Sequence, residues 1–530
     1  MTRGAGAAAA ETLGAHGVEL LFTLSGGHLF PLYDGCVKHD IRLVDTRHEQ
    51  TAAFAAEGWA KVTRAVGVAA LTAGPGVTNG ISAITSACLN GSPVCVIGGR
   101  APHARWGVGS LQELDHVPIV ASITKHAATL ESPDAVVPGL DAALRAATTP
   151  HRGPTFVDVP LDAWGATDAD VPAVAPPAAG WSADGDVVGL VAGAQRPVLM
   201  VGGDVYWGHA EDAVRAFADA ARIPVFANDM GRGVVSADHE LAFSRARALA
   251  FKEADLVLVA GTPLDFRLGF GTFGAPVVHM VDSEDVLARH VDLAASTVGD
   301  LAATFGALAG EAGRADDGGW VETLRAEETA RRAAEQERLT SDASPIDPAR
   351  VYGELRRRLA RDAIVIGDGG DFVSYAGKYV DTYTPGCFLG PGPYGCLGSG
   401  TGYALAGALA HPDRQVVVCY GDGAIGFSLG DLDTLVRHEV NVTAVVGNNG
   451  IWGLEKHPMQ MIFGYDVVAE LRPGTRYDLV AEALGGHGEL VQEPGEIGPA
   501  LDRAFAHDGL SVVNVLTDPA DAYPRSSNLG

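Results

Sequence analysis

Basic residues are scarce in this 530-residue chain: 38 Lys and Arg stand against 65 Asp and Glu, for a formal net charge of −27. A field of that sign repels nucleic acid and anionic membrane surfaces, so neither is an expected partner. A local pocket can still hold an anion on backbone N–H groups. Cysteine is scarce too. Cys36, Cys88, Cys95, Cys387, Cys396 and Cys419 form no Cys-x-x-Cys pair and sit mostly in apolar runs. That pattern points to reduced, buried thiols rather than disulfides or a thiolate metal site. No apolar run reaches the length of about 20 residues that a membrane-spanning helix needs. The opening "MTRGAGAAAAETLGAHGVELLF" has no uninterrupted apolar core and reads as an amphipathic helix leading into a strand, so a cytoplasmic location is expected. Short-period repeats are missing as well.

What remains is a packed, turn-rich chain, 47% hydrophobic with 68 glycines, of the globular class. Short β-branched runs alternate with helical segments, the pattern of parallel α/β sheets. Residues 1–165 carry "LLFTL", "RLVDT", "VGVAALT", "VCVIGG" and "PTFVDVP". A Pro- and Ala-rich stretch, "ATDADVPAVAPPAAGWSADGD", reads as a linker. Residues 184–312 carry "RPVLMVGG", "IPVFAN", "ADLVLVAG" and "PVVHMVD". The charged stretch "WVETLRAEETARRAAEQERL" has helical spacing and reads as a solvated helix. Residues 345–530 carry "AIVIGD", "QVVVCY", "NVTAVVG" and "LSVVNVL". The expected fold is therefore three doubly wound parallel-sheet α/β domains.

The third block holds the most specific chemistry. Gly421-Asp422-Gly423 follows one predicted strand, and Asn448-Asn449 follows the next. Parallel neighbours bring their C-terminal ends to one edge of the sheet, where open α/β sheets bind ligands. Asp422 and Asn449 would meet there as a hard-oxygen pair, suited to a Mg²⁺ that takes its other ligands from phosphates and water. "IGDGGDF", with Gly370 and Asp371, and the Gly-rich turn "GCLGSGTGYALAGALA" add backbone N–H groups that can cradle a diphosphate. In the first block Glu49 opens a helix of small and apolar residues, where a carboxylate also suits the helix dipole. "TAGPGVTNG", with Pro75 and Asn79, and "GSLQELDH" follow.

These pieces together, "RHEQTAAFAAEGWAKV", "TAGPGVTNG", "GSLQELDH…TK", "GCLGSGTGYALAGAL" and "GDGAIGFSLGDLDTLVRHEVNVTAVVGNNGIWG", resemble the thiamine-diphosphate (ThDP) enzymes of the acetolactate synthase-like family along essentially the whole chain. The resemblance implies a pyrimidine-binding domain, a central domain and a diphosphate-binding domain. It makes Asp422, Asn449 and the carbonyl of Ile451 the Mg²⁺ ligands. It makes Glu49 the carboxyl that shares a proton with the aminopyrimidine ring, so that the 4′ nitrogen takes the C2 proton of the thiazolium. Leu397 takes the place that props the bent cofactor, and the Gly395 carbonyl holds its 4′ amino group. Gly421, Gly423, Ala424 and Trp452 fall in the same cofactor-binding stretch. Glu49 and the diphosphate loops then come from different subunits, so a homodimer or homotetramer with shared sites is implied.

The substrate end is less defined. Gln112, Lys125 and Gly26 match positions near the substrate. Arg267, in "GTPLDFRLGFG", either meets a substrate carboxylate or forms an interdomain salt bridge. His28, in "SGGHLF", can move a proton at the reacting carbon or simply sit in a loop. His116 and His457 are weaker candidates of the same kind. Leu397 stands where the family has Met, Leu111 where it has Phe, and Pro458 where it has Trp. "LAFSRARALAFKEAD" replaces the segment that contacts FAD, which leaves FAD open. "SGGHLF", "DTRHEQTA" and "AGTPLDFRLGFG" also look like 2-hydroxyacyl-CoA lyases. The expected activity is acetolactate synthase-like carboligation of pyruvate to a second 2-keto acid. The alternatives are a 2-hydroxyacyl-CoA lyase, whose CoA phosphates would meet Arg245 and Arg247, and a simple 2-keto acid decarboxylase.

Overall fold

A computed structural model describes residues 3–174, 180–311 and 318–523. Each of the apolar runs named above forms a strand. The strands assort into three six-stranded sheets. In the first, strands run in the spatial order Arg42–Asp45, Leu20–Thr23, Gly67–Leu71, Val94–Arg100, Thr155–Pro160, His126–Thr129, all parallel. In the third, the order is Phe388–Leu389, Ile364–Asp368, Val416–Gly421, Val442–Asn448, Leu510–Leu516, His487–Val491, again all parallel. Numbered along the chain, both sheets follow the order 2-1-3-4-6-5. The chain therefore reverses direction between its first and third strands in each, and open α/β sheets bind ligands outside the strand ends at such a point.

The central sheet has Val225–Ala227, Pro197–Val201, Leu256–Ala260, Val277–Val281 and Ala295–Gly299 in parallel, closed by the antiparallel edge strand Trp181–Asp184. That edge strand lies inside the stretch read as linker. Its side chains are all exposed, so it carries no apolar alternation to reveal it. Within that stretch, residues 175–179 lie outside the described residues. The charged stretch also differs from expectation. Trp320, Val321 and Leu324 of the helix Trp320–Ala334 are buried in the central core. Glu328 is buried as well and accepts the backbone N–H groups of Ser244, Arg245 and Ala246 at 3.1, 2.6 and 2.9 Å. This helix docks on the central domain rather than standing in solvent.

The first and third domains share one core. Helix Glu49–Thr63 lies against helix Gly400–Ala410 so closely that a Cβ on Gly402 would fall 2.7 Å from Phe54 Cβ, and one on Gly58 would fall 2.8 Å from Tyr403 Cα. Such an approach requires glycine. Buried between the domains, Glu57 accepts from Lys61 at 2.9 Å, Asn90 at 2.8 Å, Ser92 at 3.1 Å and Tyr403 at 2.7 Å. Removing the carboxylate leaves a buried, unpaired ammonium, a loss of about 3–5 kcal/mol. Glu57→Ala is therefore expected to lower the urea midpoint of the contact between the first and third domains, and an unchanged midpoint would refute the pairing.

Candidate active site

The 416–421 and 442–448 strands are parallel neighbours in register, Gly421 opposite Gly447, so Asp422 and Asn449 leave the same sheet edge. They line one cleft together with Gly370, Asp371, Gly423, Ala424, Ile451 and Trp452. Glycine builds the cradle. A Cβ on Gly423 would strike the Trp452 ring at 2.3 Å, one on Gly447 the Phe372 ring at 2.2 Å, and one on Gly369 the Ala424 methyl at 2.5 Å. Glycine thus lets these side chains pack directly against the backbone at the cleft edge. Helix Gly370–Tyr379 also starts there, and its first-turn N–H groups have no partner within the helix. The cradle fits a diphosphate.

Asp422 Oδ1 accepts the Gly423 N–H at 3.0 Å and Oδ2 accepts the Gly450 N–H at 2.8 Å. Burial pushes this carboxyl up to about 6, against the pull of those N–H groups. Asn449 Oδ1 accepts the Ile451 N–H at 3.2 Å and keeps a second lone pair for another partner. Tyr477, which the sequence did not single out, donates to the Asp422 carbonyl at 3.0 Å. A carboxylate, an amide oxygen and a carbonyl form a donor set for a hard divalent cation.

Gly395 has φ +67°, a left-handed turn that places Cys396 and Leu397 ahead of helix Gly400–Ala410. Asp368 holds this turn. Its carboxylate accepts the N–H groups of Gly398 at 3.1 Å and Gly400 at 2.7 Å, and burial raises it to about 6 despite them. Asp368 is another residue that sequence reading passed over. The Asp before "GG" was the available signal.

In the first domain Glu49 begins its helix, is 8% exposed, and accepts from Asn79 Nδ2 at 3.0 Å. The loops after the first and third strands meet tightly. A Cβ on Gly26 would lie 2.2 Å from Thr72 Cβ, and Thr72 Oγ1 lies 3.2 Å from His28 Nδ1. Burial first, and the nearby His116 second, lower the pKa of His28. Gln112 has φ +60° and crosses Gly74, next to Pro75, with its Cβ 3.0 Å from a Cβ built on that glycine. His116 is fully buried. Its Nε2 accepts the Gly74 N–H at 2.9 Å, so Nδ1 carries the proton and donates to Asp158 at 2.8 Å. Both ring nitrogens are committed to holding the Gly74–Pro75 turn, which removes His116 from the acid–base candidates. His457 stands on helix Gly453–Phe463, its Nε2 buried and, among the described residues, without a hydrogen bond.

Two substrate candidates stand apart. Lys125 precedes the edge strand His126–Thr129, at the opposite end of the sheet from Gly26 and Pro75. Its Nζ donates to the Thr149 carbonyl at 2.7 Å, and burial lowers its pKa. Arg267 pairs with Asp265 at 2.7 Å and with Asp229. Both acids belong to the central domain, so the pairing is within a domain rather than between domains.

Family models match this arrangement segment by segment. Residues 3–119 match the thiamine pyrophosphate enzyme N-terminal TPP binding domain, 185–308 the central domain, and 368–515 the C-terminal TPP binding domain. The chain belongs to the thiamine pyrophosphate enzyme family. Its cofactor is thiamine diphosphate, another name for thiamine pyrophosphate. Among curated proteins it is 56% identical, over 100% of its length and 98% of theirs, to a probable acetolactate synthase of Mycobacterium bovis and to acetolactate synthase large subunit IlvG of Mycobacterium tuberculosis. It is 33% identical to 2-hydroxyacyl-CoA lyase 2 of Bos taurus over 93% of this chain and 86% of that protein. The chain is an enzyme of the acetolactate synthase-like kind. Among the described residues no helix is long and apolar enough to cross a membrane.

Proposed function

We propose that this enzyme decarboxylates pyruvate and joins the resulting two-carbon unit to a second 2-keto acid. The supporting observation is 56% identity along the whole chain to acetolactate synthases, against 33% to the lyase. When bound, ThDP supplies the electron sink for the new carbanion. Mg²⁺ would sit on Asp422, Asn449 and the Ile451 carbonyl. Glu49 would hold or release a proton at the aminopyrimidine ring, and Leu397 would support the bent cofactor. His28 and Gln112 would face the substrate.

Two chains would build each site. The cleft of Asp422 is lined by third-domain residues alone, while Glu49, Asn79, His28 and Gln112 belong to the first domain. Large apolar side chains are exposed on both: Phe30 at 61%, Leu111 at 80% and Phe427 at 58%. A second copy supplying the missing half would cover them.

The central domain supports no FAD in this proposal. At its own reversal point the buried Asp204 opens the helix after Pro197–Val201, with Asp282 close by, and both pair with His151. Arg152 also meets Asp282 at 3.5 Å, so His151 and Arg152 engage both carboxylates, and ion pairs, rather than free N–H groups, occupy the helix start that a dinucleotide diphosphate would need. A neighbouring cleft of about 390 Å³ is richer in arginine, with Arg232, Arg245, Arg247 and Arg332 against Asp229 and Asp381. Its Arg232 and Arg247 are half-buried and, among the described residues, form no ion pair with a carboxylate; desolvation pushes Arg232 down to about 10. This cleft supports the second reading, a 2-hydroxyacyl-CoA lyase whose CoA phosphates bind these guanidinium groups.

The deciding experiment incubates purified enzyme, ThDP and Mg²⁺, without FAD, with pyruvate or with a 2-hydroxyacyl-CoA. Acetolactate from the first is the expected product. Aldehyde and formyl-CoA from the second, with pyruvate untouched, would replace the carboligase reading with the lyase. Acetaldehyde alone from pyruvate would leave a simple decarboxylase.

A further inference from the structure

Asp431 ends the turn-rich segment that begins at Asp422. Its own N–H donates to the Ser428 carbonyl at 2.9 Å, and the Ser428 N–H donates to Ile425 at 3.2 Å. Its side chain is 1% exposed, yet it reaches out of the third domain. Oδ1 accepts the backbone N–H of Arg47 at 2.7 Å and the Thr434 hydroxyl at 2.7 Å, and Oδ2 accepts the Thr51 hydroxyl at 2.7 Å. Arg47 and Thr51 flank Glu49 on either side. Gln50, between them, donates to the Leu397 carbonyl at 3.3 Å. The Arg47 guanidinium meets Asp433 at 2.6 Å. The segment around Glu49 is thus pinned to the third domain of its own chain, and a buried carboxylate with three donors is the strongest of those pins.

We propose that Asp431 is a positioning residue for Glu49: it ties the entry of the Glu49 helix to the turn that carries Asp422. This rests on Glu49 moving a proton at the cofactor. Among the described residues Glu49 has one side-chain hydrogen-bond partner, Asn79, so its aim depends on the backbone that Asp431 holds. A group misplaced by about 1 Å can cost about 100-fold in rate. The Mg²⁺ and diphosphate donors are not touched by Asp431, so cofactor binding should be unaffected.

The test compares Asp431→Asn in the wild-type and Glu49→Gln backgrounds, with Thr51→Val as the milder variant. Deuterium exchange of backbone amides in residues 45–52 is followed in the cofactor-free protein, and exchange of the cofactor's C2 proton in the loaded enzyme. Expected for Asp431→Asn are faster amide exchange over 45–52, unchanged Mg²⁺–ThDP affinity and C2 exchange slowed about 100-fold. No further slowing is expected in Glu49→Gln, and Thr51→Val should shift the same readouts in the same direction by less. Equal slowing in both backgrounds would overturn the proposal, because Asp431 would then act without Glu49. Unchanged amide exchange would overturn it too. If Asp431→Asn does not fold, Thr51→Val carries the same comparison. A wild-type protein that binds no ThDP would defeat the functional reading instead, with the amide exchange still testing the contact.

Discussion

Glu49→Gln is expected to cut turnover by about 10²- to 10⁴-fold, the range of one general acid–base group, while ThDP still binds. The substitution keeps the shape and the acceptor for Asn79 Nδ2. It removes only the ability to exchange a proton. The loss should therefore fall on kcat and on C2 proton exchange rather than on the KM for ThDP. Turnover that survived unaltered would show that Glu49 has no relay role and only caps its helix. A mixing experiment extends the test to the shared site. Glu49→Gln and Asp422→Ala chains are each expected to be strongly impaired alone. If each site draws Glu49 from one chain and Asp422 from the other, a mixed dimer contains one site with both lesions and one intact site, so activity returns on mixing. If each chain builds its own site, no combination restores it.

Much of this site was legible in the sequence because its signals depend on chain topology. Asp422 and Asn449 follow strands whose β-branched runs mark them as buried and parallel, and parallel strands end at one edge. Gly395 and Gly423 are read as turns, and the structure gives Gly395 a left-handed φ of +67° and sets Gly423 against the Trp452 ring. Within the three six-stranded sheets the strands missed were His126–Thr129, Trp181–Asp184, Ala295–Gly299, Phe388–Leu389 and His487–Val491. Four of them are sheet edges, the exception being Ala295–Gly299 beside the edge strand. An edge strand is not sandwiched, so its residues need not form an apolar run. Asp368, Asp431 and Tyr477 were missed for a different reason. Each acts on backbone atoms of a distant segment, and a residue that recognises backbone leaves no pairing pattern between side-chain types. His116 failed in the opposite direction. An imidazole in a Gly-rich neighbourhood looks reactive until both nitrogens are seen to be engaged.

The turn at Asp422 makes the other large prediction. Removing one buried charged partner typically costs about 2–5 kcal/mol in binding, which is about 30- to 5000-fold in affinity. Asp422→Ala should weaken Mg²⁺-dependent ThDP binding by that range. Asp422→Asn should do little better, since its amide N–H₂ would face the Gly423 or Gly450 N–H that the carboxylate now accepts. Trp452 lines the same cleft and lies against Gly423, so its fluorescence reports occupancy directly without turnover. Titrating ThDP with and without EDTA separates the two contributions. In the wild type, chelation should weaken binding to the level that the backbone cradle supports alone. In Asp422→Ala, the weak binding that remains should no longer depend on the metal, because the cradle of glycine N–H groups persists without its cation. Tight, metal-dependent binding in that variant would mean that Asn449 and the Ile451 carbonyl hold the ion alone. The pairing of Asp422 with Asn449 across the two strand ends would then be architecture rather than chemistry.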